Sequence, residues 1–260
     1  EYIDVNGIAL RYRQLGSGAR TVLLIHGFGG DLNNWLFNMD ELARQNTVIA
    51  LDLPAHGGSA IRLPETADIA GLADLVLNFL DALGQQQVAV LAHSMGGAIA
   101  AQMALAAPER ISRLALVSPC GAGSDINMDY INGFIQAQSR RDLKPVLGLL
   151  LADADGVSRA MVDDTLKYKR LDGVEAALHR LQAAVFTDGR QADLPVLRLN
   201  PLQQPLLVLW GENDHIIPAA QAAAIPAGAA VHTFAQSGHM CHMDQAAQVN
   251  PLLLAFFQAA

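Results

Sequence analysis

Three short stretches hold the residue types of nucleophilic acyl chemistry. Ala92-His93-Ser94-Met95-Gly96-Gly97 sets a serine between a buried apolar run, Val88 to Ala92, and a helix-period segment beginning at Met95. A serine at such a strand-to-helix turn is pushed out with its hydroxyl exposed, and small neighbours permit the cramped backbone. Ala92 stands where the usual Gly-x-Ser-x-Gly pattern has glycine. A hydroxyl is a weak nucleophile until a base takes its proton, and the base needs an orienting partner. Gly238-His239 supplies the base and Gly211-Glu212-Asn213-Asp214 an acid, each after an expected strand end. Asp214 is preferred over Glu212 because it stands deeper in its turn, just before His215-Ile216-Ile217-Pro218. Taken singly, Ser94 could be a helix N-cap, Asp214 a turn residue and His239 a loop histidine; their joint order argues for chemistry. His26-Gly27-Phe28-Gly29-Gly30 follows another expected strand. Its Phe28 N–H, with that of Met95 beside the serine, is suited to hold a tetrahedral oxyanion, and His26 reads as a structural hydrogen-bonder.

These loops need elements to position them. Residues 2–5 and 8–15 read as a hairpin around Asn6-Gly7. Buried strands are expected at Thr21 to Ile25, Thr47 to Leu51, Val88 to Ala92 and Leu114 to Val117. Helices are expected at 34–44, from Asp68 to Leu83 with Gly84 as its stop, and from Met95 to Ala107 before Pro108. Uniformly apolar strands alternating with helices mean a parallel sheet covered on both faces, hence an α/β fold. The alternation lapses over residues 121–200, where helical periodicity continues without a convincing buried strand. It resumes with Leu206 to Trp210, a helix near 218–224, Val231 to Phe234 and a helix near 244–258. The expected organisation is a core of residues 1–120 and 201–260, interrupted by a helical cap insertion at 121–200 that packs over the carboxyl ends of the strands.

Composition narrows the field. The 260 residues are 52% apolar and 16% charged, which excludes disorder, and runs such as Val146 to Ala152 are far too short to span a membrane. A net charge of −8 disfavours nucleic acid. Two cysteines, Cys120 and Cys241, point to free thiols in a reducing compartment and a cytoplasmic protein. His239, Cys241 and His242 crowd together, but zinc needs further spaced ligands, so no metal is expected. Residues 121–200 carry 10 of the 17 basic side chains. Arg140, Arg141 and Lys144 form one cluster and Lys167, Lys169 and Arg170 another: solvated helix faces, or an anion-steering rim on an acidic protein.

Over its whole length the chain resembles the α/β-hydrolase superfamily. The resemblance is carried by His26 to Gly30, Asp52 to Gly57 (with Ala55 for the usual glycine), Ala92 to Gly97, Gly211 to Asp214 and Gly238-His239. It implies a mostly parallel central sheet with helices on both faces and a helical cap. A narrower likeness is to the hydrolase-fold domain of the dihydrolipoamide acetyltransferase components of bacterial acetoin dehydrogenase complexes. The stretch Gly29 to Asn38, which includes Trp35, carries it, with Ile126 to Pro145 and Lys167 to Gly173. That likeness implies acetyl transfer from dihydrolipoamide to coenzyme A through an acyl-serine. The lipoyl group is then donor, coenzyme A acceptor, and neither is a resident cofactor. It also implies a small-molecule acyl substrate bound near Trp35 and the two cationic clusters, and a lipoyl domain and other acetoin dehydrogenase subunits as partners. The family's amino-terminal lipoyl domain has no counterpart in these residues, so an upstream domain is expected to be missing. The alternative is a stand-alone serine hydrolase, a carboxylesterase or carbon–carbon bond hydrolase, using Ser94, Asp214 and His239.

Overall fold

The computed structural model describes residues 1–200 and 203–259. The expected resumption of the core at 201 and 202 and the terminal Ala260 lie outside them. Strands β1 (Tyr2–Val5) and β2 (Ile8–Leu15) form the hairpin, with Asn6 and Gly7 both at positive φ. Then come β3 (Thr21–Ile25), α1 (Met39–Ala43), β4 (Thr47–Leu51), α2 (Ile69–Ala82), β5 (Val88–His93), α3 (Met95–Ala106) and β6 (Ile111–Val117). The insertion follows: α4 (Met128–Gln136), α5 (Arg140–Gly148), α6 (Arg159–Lys169), α7 (Val174–Val185) and a two-residue hairpin of β7 (Phe186–Thr187) and β8 (Arg190–Gln191). The chain ends with β9 (Leu206–Gly211), β10 (Ala230–Phe234), α8 (Cys241–Asp244) and α9 (Ala246–Gln258).

Eight strands form one sheet in the order β1-β2-β4-β3-β5-β6-β9-β10, antiparallel from β1 to β4 and parallel thereafter. Every residue of β5 and β9 is buried. Alternate side chains feed two cores. Leu23, Ile25, Val90, Ala92, Val208 and Trp210 pack with α2, α3 and the insertion on one face. Val22, Leu24, Ala89, Leu91, Leu207 and Leu209 pack with α1 and α9 on the other. The chain steps from β3 to β4, then returns past β3 to β5. That reversal leaves a crevice beyond the carboxyl ends of β3 and β5, the place where open α/β sheets bind ligands.

Two expected helices take other forms. Instead of one helix over 34–44 there is a 3-10 turn at Leu32–Trp35, capped by Asp31, before α1. The Asn34 side chain accepts from the Asp31 N–H, and Asn38 donates to His242 O and Asn250 Oδ1, so short polar side chains compete with the helical ladder. Residues Ala219–Ala224 form a 3-10 helix with no buried residue, closed by Ile225-Pro226. Without an apolar face to bury, an α-helix there lacks tertiary support. The β7–β8 hairpin turns on Asp188-Gly189, both at positive φ.

Candidate active site

The insertion reaches the loops beyond β3, β9 and β10. Tyr130 Oη donates to Phe28 O at 3.0 Å, Asn127 N–H to Ile216 O at 2.8 Å and Met240 N–H to Leu150 O at 3.0 Å. Ser94 sits between β5 and α3 at φ 54°, ψ −122°, a left-handed conformation that costs a non-glycine residue on the order of 1–3 kcal/mol. Close packing holds it there. Its N–H donates to Val117 O, and its carbonyl accepts from Gly97 and Cys120 N–H. A Cβ on Gly96 would meet the carbonyl oxygens of Ile25 and His26 at 2.5 Å, so only glycine allows α3 to start this close to β3. Ser94 Oγ has the Sγ of buried Cys120 at 3.9 Å. Burial pushes that thiol up to about 12.

Asp214 is saturated with donors. Its Oδ1 accepts from Ile216 and Ile217 N–H at 2.8 and 2.9 Å, and its Oδ2 from Trp210 Nε1 at 3.1 Å and His239 Nδ1 at 2.8 Å. Burial alone raises a carboxyl's pKa, but the charge and hydrogen bond of His239, with the two backbone N–H groups, outweigh it and hold Asp214 below its ordinary value. A carboxylate only accepts, so His239 directs an Nδ1 proton at Asp214; in the neutral form of the ring Nε2 is then the acceptor. Glu212 lies apart, its carboxylate 3.4 Å from Thr233 Oγ1.

Backbone N–H groups can only donate, which assigns the tautomers of two buried histidines. His26 Nε2 accepts from Leu53 N–H at 2.9 Å, so its Nδ1–H donates to Gly27 O at 2.7 Å. His56 Nε2 accepts from Gly29 N–H at 3.0 Å, and its Nδ1–H donates to Pro54 O. His93 Nε2–H donates to His239 O at 3.0 Å, and the His93 ring lies 4.6 Å from that of His239. The Gly27–Phe28 peptide has its carbonyl held by His26 and by Gly30 N–H. In a trans peptide its Phe28 N–H points the opposite way. Among the described residues neither Phe28 N–H nor Met95 N–H meets an intramolecular acceptor.

A cavity of about 370 Å³ opens past Phe28 and His93, bordered also by Tyr130, Leu150, Met161 and Met240; Ser94, Met95, Asp214 and His239 do not border it. Trp35, expected to touch substrate, does not line it. It is fully buried in the α9-side core, its ring 4.6 Å from that of His242. The cationic clusters do not line it either. Arg140 pairs with Asp163, Arg170 donates to Gln138 O, and Lys169 is buried, its Nζ donating to Phe134 and Ile135 carbonyls. Burial lowers Lys169 to about 8. Arg141 and Lys144 are exposed, and Lys167 lies with Arg11 in a separate cleft. Sequence reasoning missed Cys120, His56 and Tyr130, which lie far along the chain from the groups they touch.

Residues 20–246 match the family described as alpha/beta hydrolase fold. The chain belongs to that family. Within it, the chain is 53% identical over 253 residues to the dihydrolipoyllysine-residue acetyltransferase component of the acetoin cleaving system of Cupriavidus necator, covering 97% of this chain and 67% of that protein. It is 44% identical to the component of the same name from Pseudomonas putida, covering 98% and 68%. A solved structure of a meta-cleavage product hydrolase from Pseudomonas fluorescens IP01 superposes with a TM-score of 0.86 at 21% identity, covering 99% and 97%. That likeness shows the α/β-hydrolase fold. Among the described residues no helix is long and apolar enough to cross a membrane.

The buried imidazoles make a pH prediction. Burial holds His26, His56, His93 and His242 below the ordinary histidine value, His56 and His242 at about 3. In the unfolded chain each protonates near 6.5. The unfolded state therefore binds more protons below that pH, and stability is full above about 6.5 and lost as pH falls. The urea midpoint is expected to drop by at least ~1 M between pH 7 and pH 5. A flat profile would show that these side chains are not held neutral.

Proposed function

We propose that this chain is a serine-dependent acyltransferase that moves acetyl from S-acetyldihydrolipoamide to coenzyme A, as part of an acetoin-cleaving system. The observation that carries this reading is the 53% identity, across 97% of the chain, to a component of that name. The mechanism we propose uses the side chains gathered at the site. On substrate binding the Ser94 hydroxyl leaves Cys120, gives its proton to His239 Nε2 and attacks the thioester carbonyl. The oxyanion is received by Phe28 and Met95 N–H, while Asp214 holds the imidazole and stabilises its charged form. Collapse breaks the carbon–sulfur bond, and His239 returns the proton to the departing dihydrolipoamide sulfur. Coenzyme A then gives its thiol proton to His239 and attacks acetyl-Ser94; collapse breaks the acyl carbon–Oγ bond, and His239 returns the proton to Ser94 Oγ. No resident cofactor or metal enters these steps.

Free Cys120 and Cys241 fit the cytoplasm, where coenzyme A is found. We assign the acyl arm to the cavity beside Phe28 and Met240, and a lipoyl domain and other subunits of the system as partners. The test supplies acetyl-dihydrolipoamide and coenzyme A and measures acetyl-coenzyme A and free acetate together. Transfer in competition with water requires a positioned thiol, for which orientation can be worth about 10⁵ M or more. Acetyl-coenzyme A is expected to dominate. If acetate dominates at saturating coenzyme A, with acetyl-dihydrolipoamide turned over no faster than simple esters, the hydrolase reading replaces this one.

A further inference from the structure

Phe28 N–H lies in the Gly27–Phe28 peptide plane, and the adjoining Phe28–Gly29 plane limits how far that plane can turn about the Phe28 backbone. The Gly27–Phe28 plane is held by His26 and by Gly30 N–H on Gly27 O. The Phe28–Gly29 plane has its N–H fixed by His56. Among the described residues, the hold on its carbonyl comes from the insertion, through Tyr130 Oη at 3.0 Å. Burial pushes the Tyr130 hydroxyl up, so it remains a donor.

Tyr130 belongs to α4, and α4 is clamped at its other end. The Phe134 ring meets Phe28 edge-on at 6.0 Å and fills the space a Cβ on Gly29 would need, with ring carbons at 2.8 Å. Gly29 is at φ 78°, so glycine is required there on both counts. The carbonyls of Phe134 and Ile135 lie in the last turn of α4, where a helix has no donors of its own. Lys169, from the end of α6, donates to both carbonyls and stands 4.8 Å from the centre of the Phe134 ring.

We propose that the insertion positions the oxyanion peptide: Tyr130 orients the Phe28–Gly29 plane, and Lys169 holds α4 so that Tyr130 and Phe134 bear on it. Both are positioning residues acting through Phe28. The inference rests on the proposed role of Phe28 N–H and extends it from the loop to the insertion.

Phenylboronic acid, which adds to a serine hydroxyl and leaves a tetrahedral oxygen facing the donors, is the probe. Tyr130→Phe is expected to weaken boronate inhibition about five- to tenfold, the worth of one buried hydrogen bond. It is expected to lower kcat for p-nitrophenyl acetate by a similar factor and leave KM within twofold. Lys169→Met is expected to shift both in the same direction, with partial recovery in Lys169→Arg. The double variant Tyr130→Phe, Lys169→Met is expected to fall short of the product of the single effects, because part of the Lys169 effect is exerted through the Tyr130 hydrogen bond. Unchanged boronate affinity in Tyr130→Phe, a loss confined to KM, or strictly multiplicative effects would overturn the proposal. Wild-type protein that binds no boronate on Ser94 would instead overturn the reading of Ser94 itself, and the inference with it.

Discussion

Ser94→Ala is expected to lower turnover of acetyl-dihydrolipoamide by about 10⁴- to 10⁶-fold, the scale of losing a covalent nucleophile and its proton acceptor's partner together. The chain holds Ser94 at φ 54° against Gly27 and Gly96, where a Cβ would meet the Ser94 Cβ at 2.7 Å and the Ile25 and His26 carbonyl oxygens at 2.5 Å. A merely structural N-cap has no need of that geometry, and Ser94 makes no side-chain capping bond. The same variant is expected to lose labelling by an organophosphonate or sulfonyl fluoride. Ser94→Gly, which relieves the positive φ, is expected to be at least as stable as wild type and equally inactive. Turnover or labelling that survives either change removes Ser94 from the mechanism.

Asp214→Asn is expected to lower turnover by about 10⁴-fold with the fold intact. The amide can still accept from Ile216 and Ile217 N–H, but its nitrogen would face His239 and favour the imidazole with its proton on the wrong atom. Glu212→Gln is expected to change turnover by less than about threefold, since that carboxylate is exposed and lies toward Thr233. Steady-state kinetics on both variants decide the matter; equal losses, or the reverse order, would defeat the assignment.

Much of the fold was legible because a strand buried on both faces shows as an unbroken apolar run, as in Thr21 to Ile25 and Val88 to Ala92. The turns at Asn6-Gly7 and Gly84 announced themselves by the positive φ they need. The proposed site residues were legible because each stands just past such a run. The cap cations were not. Lys167 and Lys169 look alike in sequence, yet two residues on a helix are about 200° apart, so one faces water and the other the core. Trp35 misled in a similar way: a large aromatic in a polar loop can serve a ligand or fill a core, and only the packing of α9 and His242 decides. Cys120 gave no local signal, since its approach to Ser94 depends on how β6 lies beside β5.

The pairing of β6 with β9 has a consequence for how the protein is made. A ribosome delivers Ser94, its elbow and the Phe28 turn early, and strands β1 to β6 can associate as soon as they emerge. Asp214 and His239 arrive only after the whole of residues 118–205 has been synthesised and β9 has found the open edge of β6. Closing so long a stretch is a late, slow event. Until β9 and the residues through His239 have been added, the nascent chain therefore exposes an apolar strand edge that invites wrong partners, with Ser94 still apart from Asp214 and His239.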